Sequence, residues 1–315
     1  MSRSRWIVFA YHTFGARALE ALVARGEGIV SVVTHADDPA EGGGFESVAE
    51  VARAHGVPVL NPASPNVPAV REALAALEPD MFLSVWYRRL LGADLLAVPR
   101  VAALNLHGSL LPAYRGRAPL NWVLVNGERR TGVTLHHMEV EADAGDIVAQ
   151  EPIEIAPEDT ALDLYRRMVK VGVDLLVQWY PAVLAGTAPR LPQDAARASV
   201  YGRRRPEDGR VHWGWPAARI ANMIRAVTHP FPGAFVGDGA ERLVLWAGAV
   251  EHGPSTSEPP GTLLEIRPGR GVTVATGDGI LALTAVQPAG RPEEASESWA
   301  ARGGLGPGAR VGPAS

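Results

Sequence analysis

Residues 105–119 hold the densest set of chemically useful side chains in the chain: Asn-Leu-His-Gly-Ser-Leu-Leu-Pro-Ala-Tyr-Arg-Gly-Arg-Ala-Pro. Asn105 and His107 are two apart, so on a strand they point to the same face, with Leu104 and Leu106 on the other. An amide beside an imidazole at a strand end makes a plausible catalytic pair. The amide donates to a developing oxyanion, and the imidazole moves a proton near neutral pH. The alternative is that both side chains only satisfy loop backbone groups. A carboxylate would complete the pair by orienting the imidazole and raising its pKa. Glu139-Val-Glu-Ala-Asp-Ala-Gly-Asp146 supplies the candidates. Asp143 sits in a turn before Gly145, and Glu139, Glu141 and Asp146 compete with it on spacing alone. An aspartate in such a turn can also simply cap its own backbone.

Other chemistries fit less well. The segment after the first strand, Phe9 to Gly15, has one glycine and so lacks a dinucleotide fingerprint. No phosphate-cradling P-loop motif is present. His136 and His137 are adjacent, so on a strand they face opposite ways and make a poor metal pair; one is expected buried and the other exposed. No metal is expected. His12 and His35 follow the first two strands and could line the same cleft. Gly42–Gly44 lies among Asp37, Asp38 and Glu41, poor company for a phosphate, and reads as a flexible connection.

The elements that must position these residues follow from hydrophobic spacing. Trp6–Ala10, Gly28–Thr34, Asp80–Val85, Ala103–His107, Thr131–Met138 and Ile147–Ile155 read as strands. Gly15–Gly26, Glu46–His55 and Asp159–Gly186 read as helices, the last with an apolar stripe of Leu162, Tyr165, Met168, Val169 and Leu176. Strands alternating with helices predict an α/β, mostly parallel sheet covered on both faces over 1–190. Ligands then bind beyond the carboxyl ends of the strands, where Asn105 and His107 fall. The stretch 187–205 is rich in Ala, Pro and Arg, and 191–205 is the expected linker. Pro216–Val227 reads as a helix. Arg242–Val250, Gly261–Ile266, Gly271–Thr276 and Gly279–Val286 read as short strands between turns, predicting a small β-barrel or sandwich over 206–302. Residues 303–315 have little to bury and are expected to be disordered.

Composition narrows the class. Hydrophobic residues are 47% and charged residues 20%, the balance of a globular chain able to build a sizeable core. The net charge of −4 gives no bulk basic excess for a nucleic-acid partner. With no cysteine, disulfides, thiolate metal sites and cysteine nucleophiles are excluded. No uncharged apolar run approaches 18 residues, so no membrane span is expected. No secretory signal pattern follows Arg3 and Arg5, and a cytoplasmic location is expected.

Asn105-Leu-His-Gly-Ser-Leu-Leu-Pro with Tyr-Arg-Gly-Arg-Ala-Pro119, followed by Thr131-Gly-Val-Thr and Asp143-Ala-Gly-Asp, resembles the signature of the formyl-tetrahydrofolate-dependent formyltransferases. Residues 105–150 resemble in particular the branch that formylates UDP-4-amino-4-deoxy-L-arabinose in lipid A modification and polymyxin resistance. Tyr201-Gly-Arg-Arg, Asn222–Val227 and Pro232-Gly-Ala-Phe235 continue the likeness. The resemblance covers roughly residues 6 to 250. It implies a Rossmann-like domain followed by an OB-like one. It also implies 10-formyltetrahydrofolate as co-substrate and a UDP-linked amino sugar as acceptor. Asn105 would stabilise the oxyanion, His107 would shuttle the proton, and Asp143 would orient His107 and raise its pKa. Arg89, Leu90, Leu91, Arg117 and Glu139, Val140, Glu141, Ala142 and Asp143 match folate-contacting positions. Arg203, Arg204, Asn222 and Arg225 are candidate contacts for the sugar nucleotide. In that branch the formyltransferase is fused to a dehydrogenase-decarboxylase. This chain ends at 315 without it, so the decarboxylase is expected on a separate polypeptide, and oligomeric state is left open.

Rivals share parts of this pattern. One is a formyltransferase for another nucleotide-linked amino sugar. Another is methionyl-tRNA formyltransferase, which needs a basic surface, whereas residues 201–315 hold 12 Arg against 11 Asp plus Glu. A non-catalytic folate or nucleotide-sugar binding module, and a formyl-folate hydrolase, complete the set.

Overall fold

A computed structural model describes residues 3–38, 44–252 and 256–312. Most of the expected Gly42–Gly44 connection lies outside the described residues. The elements run β1 (Arg5–Ala10), α1 (His12–Ala24), β2 (Gly28–Val33), α2 (Val48–Ala54), β3 (Val59–Leu60), α3 (Pro68–Ala75), β4 (Met81–Val85), α4 (Ala93–Leu96), β5 (Ala102–His107), β6 (Arg115–Gly116), α5 (Pro119–Val125), β7 (Arg130–His137), β8 (Ile147–Glu154), α6 (Ala161–Leu184), β9 (Val200–Tyr201), α7 (Ala217–Val227), β10 (Ala234–Val236), β11 (Leu243–Glu251), β12 (Leu263–Arg267), β13 (Gly271–Ala275), β14 (Ile280–Pro288), β15 (Glu294–Ala295) and α8 (Ser296–Arg302).

The chain divides into two compact units. The first is residues 1–119, 130–154 and 165–202; the second is 120–129, 155–164 and 203–315. In the first, seven strands are ordered β3-β2-β1-β4-β5-β7-β8. The five on the β3 side run parallel, β7 is antiparallel to both its neighbours, and the sheet is therefore mostly parallel. Apart from Arg5 and Ser84, β1 and β4 are apolar, and they are buried along nearly their whole length, as strands covered on both faces must be. One core cluster joins Ile7, Phe9, Val33, Leu74, Phe82, Leu91, Leu95 and Ala103. Helices start where local chemistry allows: Ser47 accepts from Glu50 N–H at the head of α2, and Pro68 opens α3. The buried stripe of the first unit's part of α6 is Tyr165, Met168, Leu175, Leu176, Tyr180 and Val183. Leu162 and Val169, expected in that stripe, are half-buried.

In the second unit, six antiparallel strands follow the path β10-β11-β14-β13-β12, with β15 on β14. Bulges in β11 at Leu245/Ala247 and Ala247/Gly248 bend the sheet. Helix α7 packs Ile220, Met223 and Ile224 inward. Two short pieces of sequence from between the strands of the first unit, 120–129 and 155–164, belong to this second body. Asn121 Nδ2 donates to Ala226 O at 2.7 Å, and Arg225 Nη1 reaches Ala156 O and Asp159 O, each at 3.3 Å.

Two expectations need correction. The stretch 191–205 is not a bare linker. Leu191 bridges Ile147, and Val200–Tyr201 form β9 against β6, so 191–202 is built into the first unit. Residues 303–312 are not a disordered tail. Arg310 bridges Thr262, Val311 is buried, and the Trp213 indole N–H donates to Val311 O at 2.6 Å. A few apolar contacts and one satisfied indole suffice to anchor a Gly-rich strand end. Residues 313–315 lie outside the described residues.

Candidate active site

Asn105 and His107 stand at the carboxyl end of β5 and share a face, and the register sets Asn105 opposite His136 on β7 and Ser84 on β4. The loop after β5 is pinned from β7. Thr134 Oγ1 donates to Ser109 O at 2.7 Å and accepts from Leu111 N–H at 3.2 Å. Gln150 from β8 donates to Leu111 O at 2.8 Å.

Asp143 is the hub. Its Oδ1 accepts from Asn105 Nδ2 at 3.3 Å and lies 3.4 Å from His107 Nδ1 and 3.6 Å from His136 Nε2. Its Oδ2 accepts the Gly116 N–H at 2.8 Å. The backbone of Asp143 is left-handed, at φ 56°, a conformation that Asp tolerates better than most residues. Two glycines make room for it. A Cβ on Gly145 would stand 2.1 Å from His137 O, and one on Gly116, itself at φ 94°, would stand 2.4 Å from Tyr201 O. Of the four carboxylates that spacing left open, the structure brings Asp143 to Asn105 and His107. Glu139 and Glu141 are exposed, and Asp146 pairs with Arg190.

His107 is buried, and its Nε2–H donates to Tyr114 O at 2.8 Å. Burial lowers its pKa below the ordinary histidine value; the Asp143 charge and the Tyr114 carbonyl push upward without overcoming it. Asp143 therefore raises the pKa of His107, as expected, but the net shift is downward because desolvation is the larger effect. The resting ring is neutral, with its Nδ1 lone pair beside the carboxylate. A proton arriving at Nδ1 is held there by that charge. Burial opposes ionisation of Asp143, but the charge of the His107 and His136 rings once they are protonated at low pH, with the Gly116 N–H, outweighs it and keeps Asp143 ionised well below the usual carboxylate range.

His136 is the site residue that sequence reasoning missed. Its Nδ1–H donates to His137 O at 2.8 Å, which in the neutral ring leaves Nε2 as acceptor, 3.1 Å from Asn105 Nδ2. At rest both N–H bonds of the Asn105 amide are thus engaged, one to an imidazole and one to a carboxylate. The expectation of one buried and one exposed histidine also fails. Both are buried because both faces of β7 are covered over Thr131–His137. His137 is pushed from 6.5 down to about 4, chiefly by burial and then by Arg190. An unfolded chain takes up this proton near pH 6.5 and the folded one only near pH 4. Stability is therefore full above about 6.5 and falls as the pH drops toward 4, by on the order of 2 kcal/mol for this group. Denaturant titrations at pH 7.5 and 4.5 should show that difference, and His137→Gln should flatten it.

The 114–117 loop and the Asp143 loop are held by a single strap from the supposed linker. Gln193 Nε2 donates to Asp143 O and Gly145 O, both at 2.8 Å. Its Oε1 accepts from Arg115 Nε at 3.0 Å and Nη2 at 2.8 Å. Farther along, Ser199 Oγ accepts from Tyr114 N–H at 2.9 Å, and the Tyr201 ring stacks on Tyr114 at 4.8 Å. The strap so fixes the carbonyl that orients His107 and the loop that carries Asp143. Gln193→Leu should lower kcat about tenfold to a hundredfold by loosening that geometry. The acceptor KM should change little, and steady-state kinetics checks the split.

The remaining residues fall as follows. Arg89 Nη1 donates to Pro62 O, Leu90 is exposed, and Leu91 is buried in the core cluster. Arg117 Nη2 donates to Arg88 O at 2.6 Å. Val140 is exposed and Ala142 is half-buried. In the second unit Arg203 is exposed. Arg204 lies over the Trp122 ring at 4.7 Å and donates to Asp208 O, and Arg225 Nε donates to Asn222 Oδ1. Among the described residues no group of three or more His, Asp or Glu could hold a metal, and no helix is long and apolar enough to cross a membrane.

A mostly parallel sheet with an amide, an imidazole and a half-buried carboxylate converging past its carboxyl edge has the groups that acyl transfer needs. Residues 4–180 match the family model "Formyl transferase", and residues 204–303 match "Formyl transferase, C-terminal domain". The chain belongs to the formyl transferase family. Solved structures share the fold. An N-formyltransferase from Helicobacter canadensis, in complex with folinic acid and dTDP-3-aminofucose, matches with TM-score 0.69 at 19% identity, over 90% of this chain and 98% of that one. WlaRD, a sugar 3N-formyltransferase solved with dTDP and 5-N-formyl-THF, matches with TM-score 0.65 at 16% identity, over 93% and 100%. HypX from Aquifex aeolicus, in complex with tetrahydrofolic acid, matches with TM-score 0.64 at 19% identity, over 95% of this chain. This chain spans about half the length of HypX, 47%.

Proposed function

We propose that the chain transfers the formyl group of 10-formyltetrahydrofolate to the 4-amino group of UDP-4-amino-4-deoxy-L-arabinose. The observation that carries the transfer chemistry is the convergence of Asn105 and His107 on Asp143. The unprotonated amine attacks the formyl carbon, and the carbonyl oxygen becomes an oxyanion. Asn105 turns one N–H from its resting partner to that oxygen. His107, neutral at rest, takes the amine proton, and Asp143 stabilises the imidazolium. The bond from the formyl carbon to N10 breaks, and the proton passes to that nitrogen as tetrahydrofolate leaves. Arg89, Leu90, Leu91, Arg117 and residues 139–143 are the proposed folate contacts, those of Leu91 through its backbone because its side chain is buried.

The arabinose substrate rests on the likeness of residues 105–150 and 201–235 to that branch. A dTDP-linked amino sugar is the second reading, favoured by the ligand in the Helicobacter canadensis structure. Purified protein incubated with formyl-folate and each amino-sugar nucleotide, with tRNA in parallel, decides by product mass. Formylation of the UDP sugar, lost in His107→Ala, is the expected result. Transfer only to a dTDP sugar keeps the mechanism and replaces the substrate. Release of formate with no acceptor product overturns the transferase.

A further inference from the structure

The second unit carries two opposite charges that its own fold does not use. Glu241 and Arg242 stand where the turn after β10 enters β11. The backbone there is held from two sides. Arg242 N–H donates to Gly239 O at 3.3 Å, and Arg242 O accepts from Ala289 N–H at 2.9 Å. The Arg242 guanidinium lies 3.9 Å over the ring of the buried Phe235. Stacking of this kind orients a guanidinium without engaging its N–H donors. Arg210 lies over the same ring at 5.0 Å, but its charge is spent on Asp238. Arg242 has no ion-pair partner among the described residues, and its Nε–H is closed off from solvent without an acceptor. Glu241 is exposed and makes no ion pair among the described residues either.

Both side chains line one cavity of about 330 Å³, which lies wholly within the second unit. Its apolar wall is Leu243 and Pro288, paired across β11 and β14, with Trp299 of α8. Leu243 is buried, and Trp299 and Pro288 are half-buried. The volume is at the lower end of the range that small-molecule sites occupy. A donor shut away from water without an acceptor costs stability, and a bound anion on the guanidinium would offset that cost.

We propose that this cavity binds a free α-amino acid with an apolar side chain. Its carboxylate meets Arg242, its ammonium meets Glu241, and its side chain packs on Trp299, Leu243 and Pro288. A guanidinium forks onto a carboxylate through two parallel N–H bonds, so one arginine suffices for that group. An amino acid carries its opposite charges close together, and the cavity offers opposite charges on neighbouring residues. A phosphate fits less well, because a single cation serves it and Glu241 repels its second charge. The unit that holds the cavity contains none of Asn105, His107 and Asp143, and the inference stands whichever acceptor the enzyme formylates.

Calorimetry with L-leucine, L-phenylalanine and L-tryptophan tests this on wild type, Arg242→Gln and Glu241→Gln. At least one of the three should bind wild type. Its analogue without the ammonium and its analogue without the carboxylate (3-phenylpropionate and phenethylamine in the case of phenylalanine) should each bind at least about tenfold more weakly. Arg242→Gln should weaken the amino acid by a similar factor. Glu241→Gln should weaken the amino acid but spare the analogue without an ammonium. Folinic acid affinity should be unchanged in both variants. No binding by any of the three amino acids overturns the inference. Equal binding of the amino acid and its ammonium-free analogue overturns it too. So does inorganic phosphate bound more tightly than the amino acid, which makes the cavity a plain anion site. The analogue series runs on wild type and decides the matter even where Arg242→Gln fails to fold.

Discussion

Asn105→Ala should lower kcat for formyl transfer by about 10²–10³, with little change in the binding of either substrate, because it deletes the side-chain amide proposed to donate to the oxyanion. The structure adds a second reason for a large effect. The amide also bridges the His136 ring and the Asp143 carboxylate, donating to both. Its removal leaves His136 Nε2 without its 3.1 Å donor in a buried setting. Asn105→Asp is a sharper probe. It keeps the shape but places a second carboxylate beside Asp143, and should be at least as inactive. Single-turnover rates with saturating formyl-folate measure the chemical step directly. A loss confined to KM, with kcat preserved, would remove Asn105 from the oxyanion role.

Asp143→Asn is the second large loss, on the order of 10³ or more in kcat by analogy with other buried carboxylates that hold a catalytic histidine. Asparagine tolerates the φ of 56° at this position, so the backbone is spared where alanine would strain it. What disappears is the charge. The carboxylate raises the pKa of His107 against the larger lowering by burial. Without it the imidazole holds a proton less well, and the acid limb of the kcat–pH profile should move to lower pH. The variant also loses the group that stabilises the imidazolium, so the plateau falls as the limb shifts. A reduced plateau with an unshifted limb would mean that Asp143 acts on loop geometry alone. Stability should respond at low pH too. Asp143 is held ionised below the normal range in the fold, so its contribution is complete above about pH 4 and lost as the pH falls below it.

The parts of this protein legible in its sequence are those fixed by neighbours along the chain. Helical spacing placed α1, α2, α6 and α7 to within a few residues. Two-residue alternation put Asn105 and His107 on one face of β5. The β5 loop and the Asp143 turn were recognisable as a pair only through resemblance, because Asp143 lies 36 positions after His107 and no local signal joins them. His136 was missed for a related reason. Its role depends on β7 pairing antiparallel to β5 with Asn105 opposite it, and register across strands is not written in the spacing of either one. The 187–205 stretch read as a linker because Ala, Pro and Arg carry little apolar pattern. Its value lies in side chains such as Gln193 and Ser199, which bond to residues almost 50 and 85 positions away. The short α3, α4, α5 and α8 were also unread.

The strap has a practical consequence for dissecting the protein. A catalytic fragment cut at the boundary suggested by composition, residue 190, would retain Asn105, His107 and Asp143 yet lose Gln193, Ser199 and Tyr201. Arg115 would then be a buried cation stripped of its amide partner, and the carbonyls of Asp143 and Gly145 would lose their shared donor. A fragment ending at 202 keeps them all. Twelve residues of unremarkable composition thus separate a piece with the right active-site inventory from one able to hold it in place.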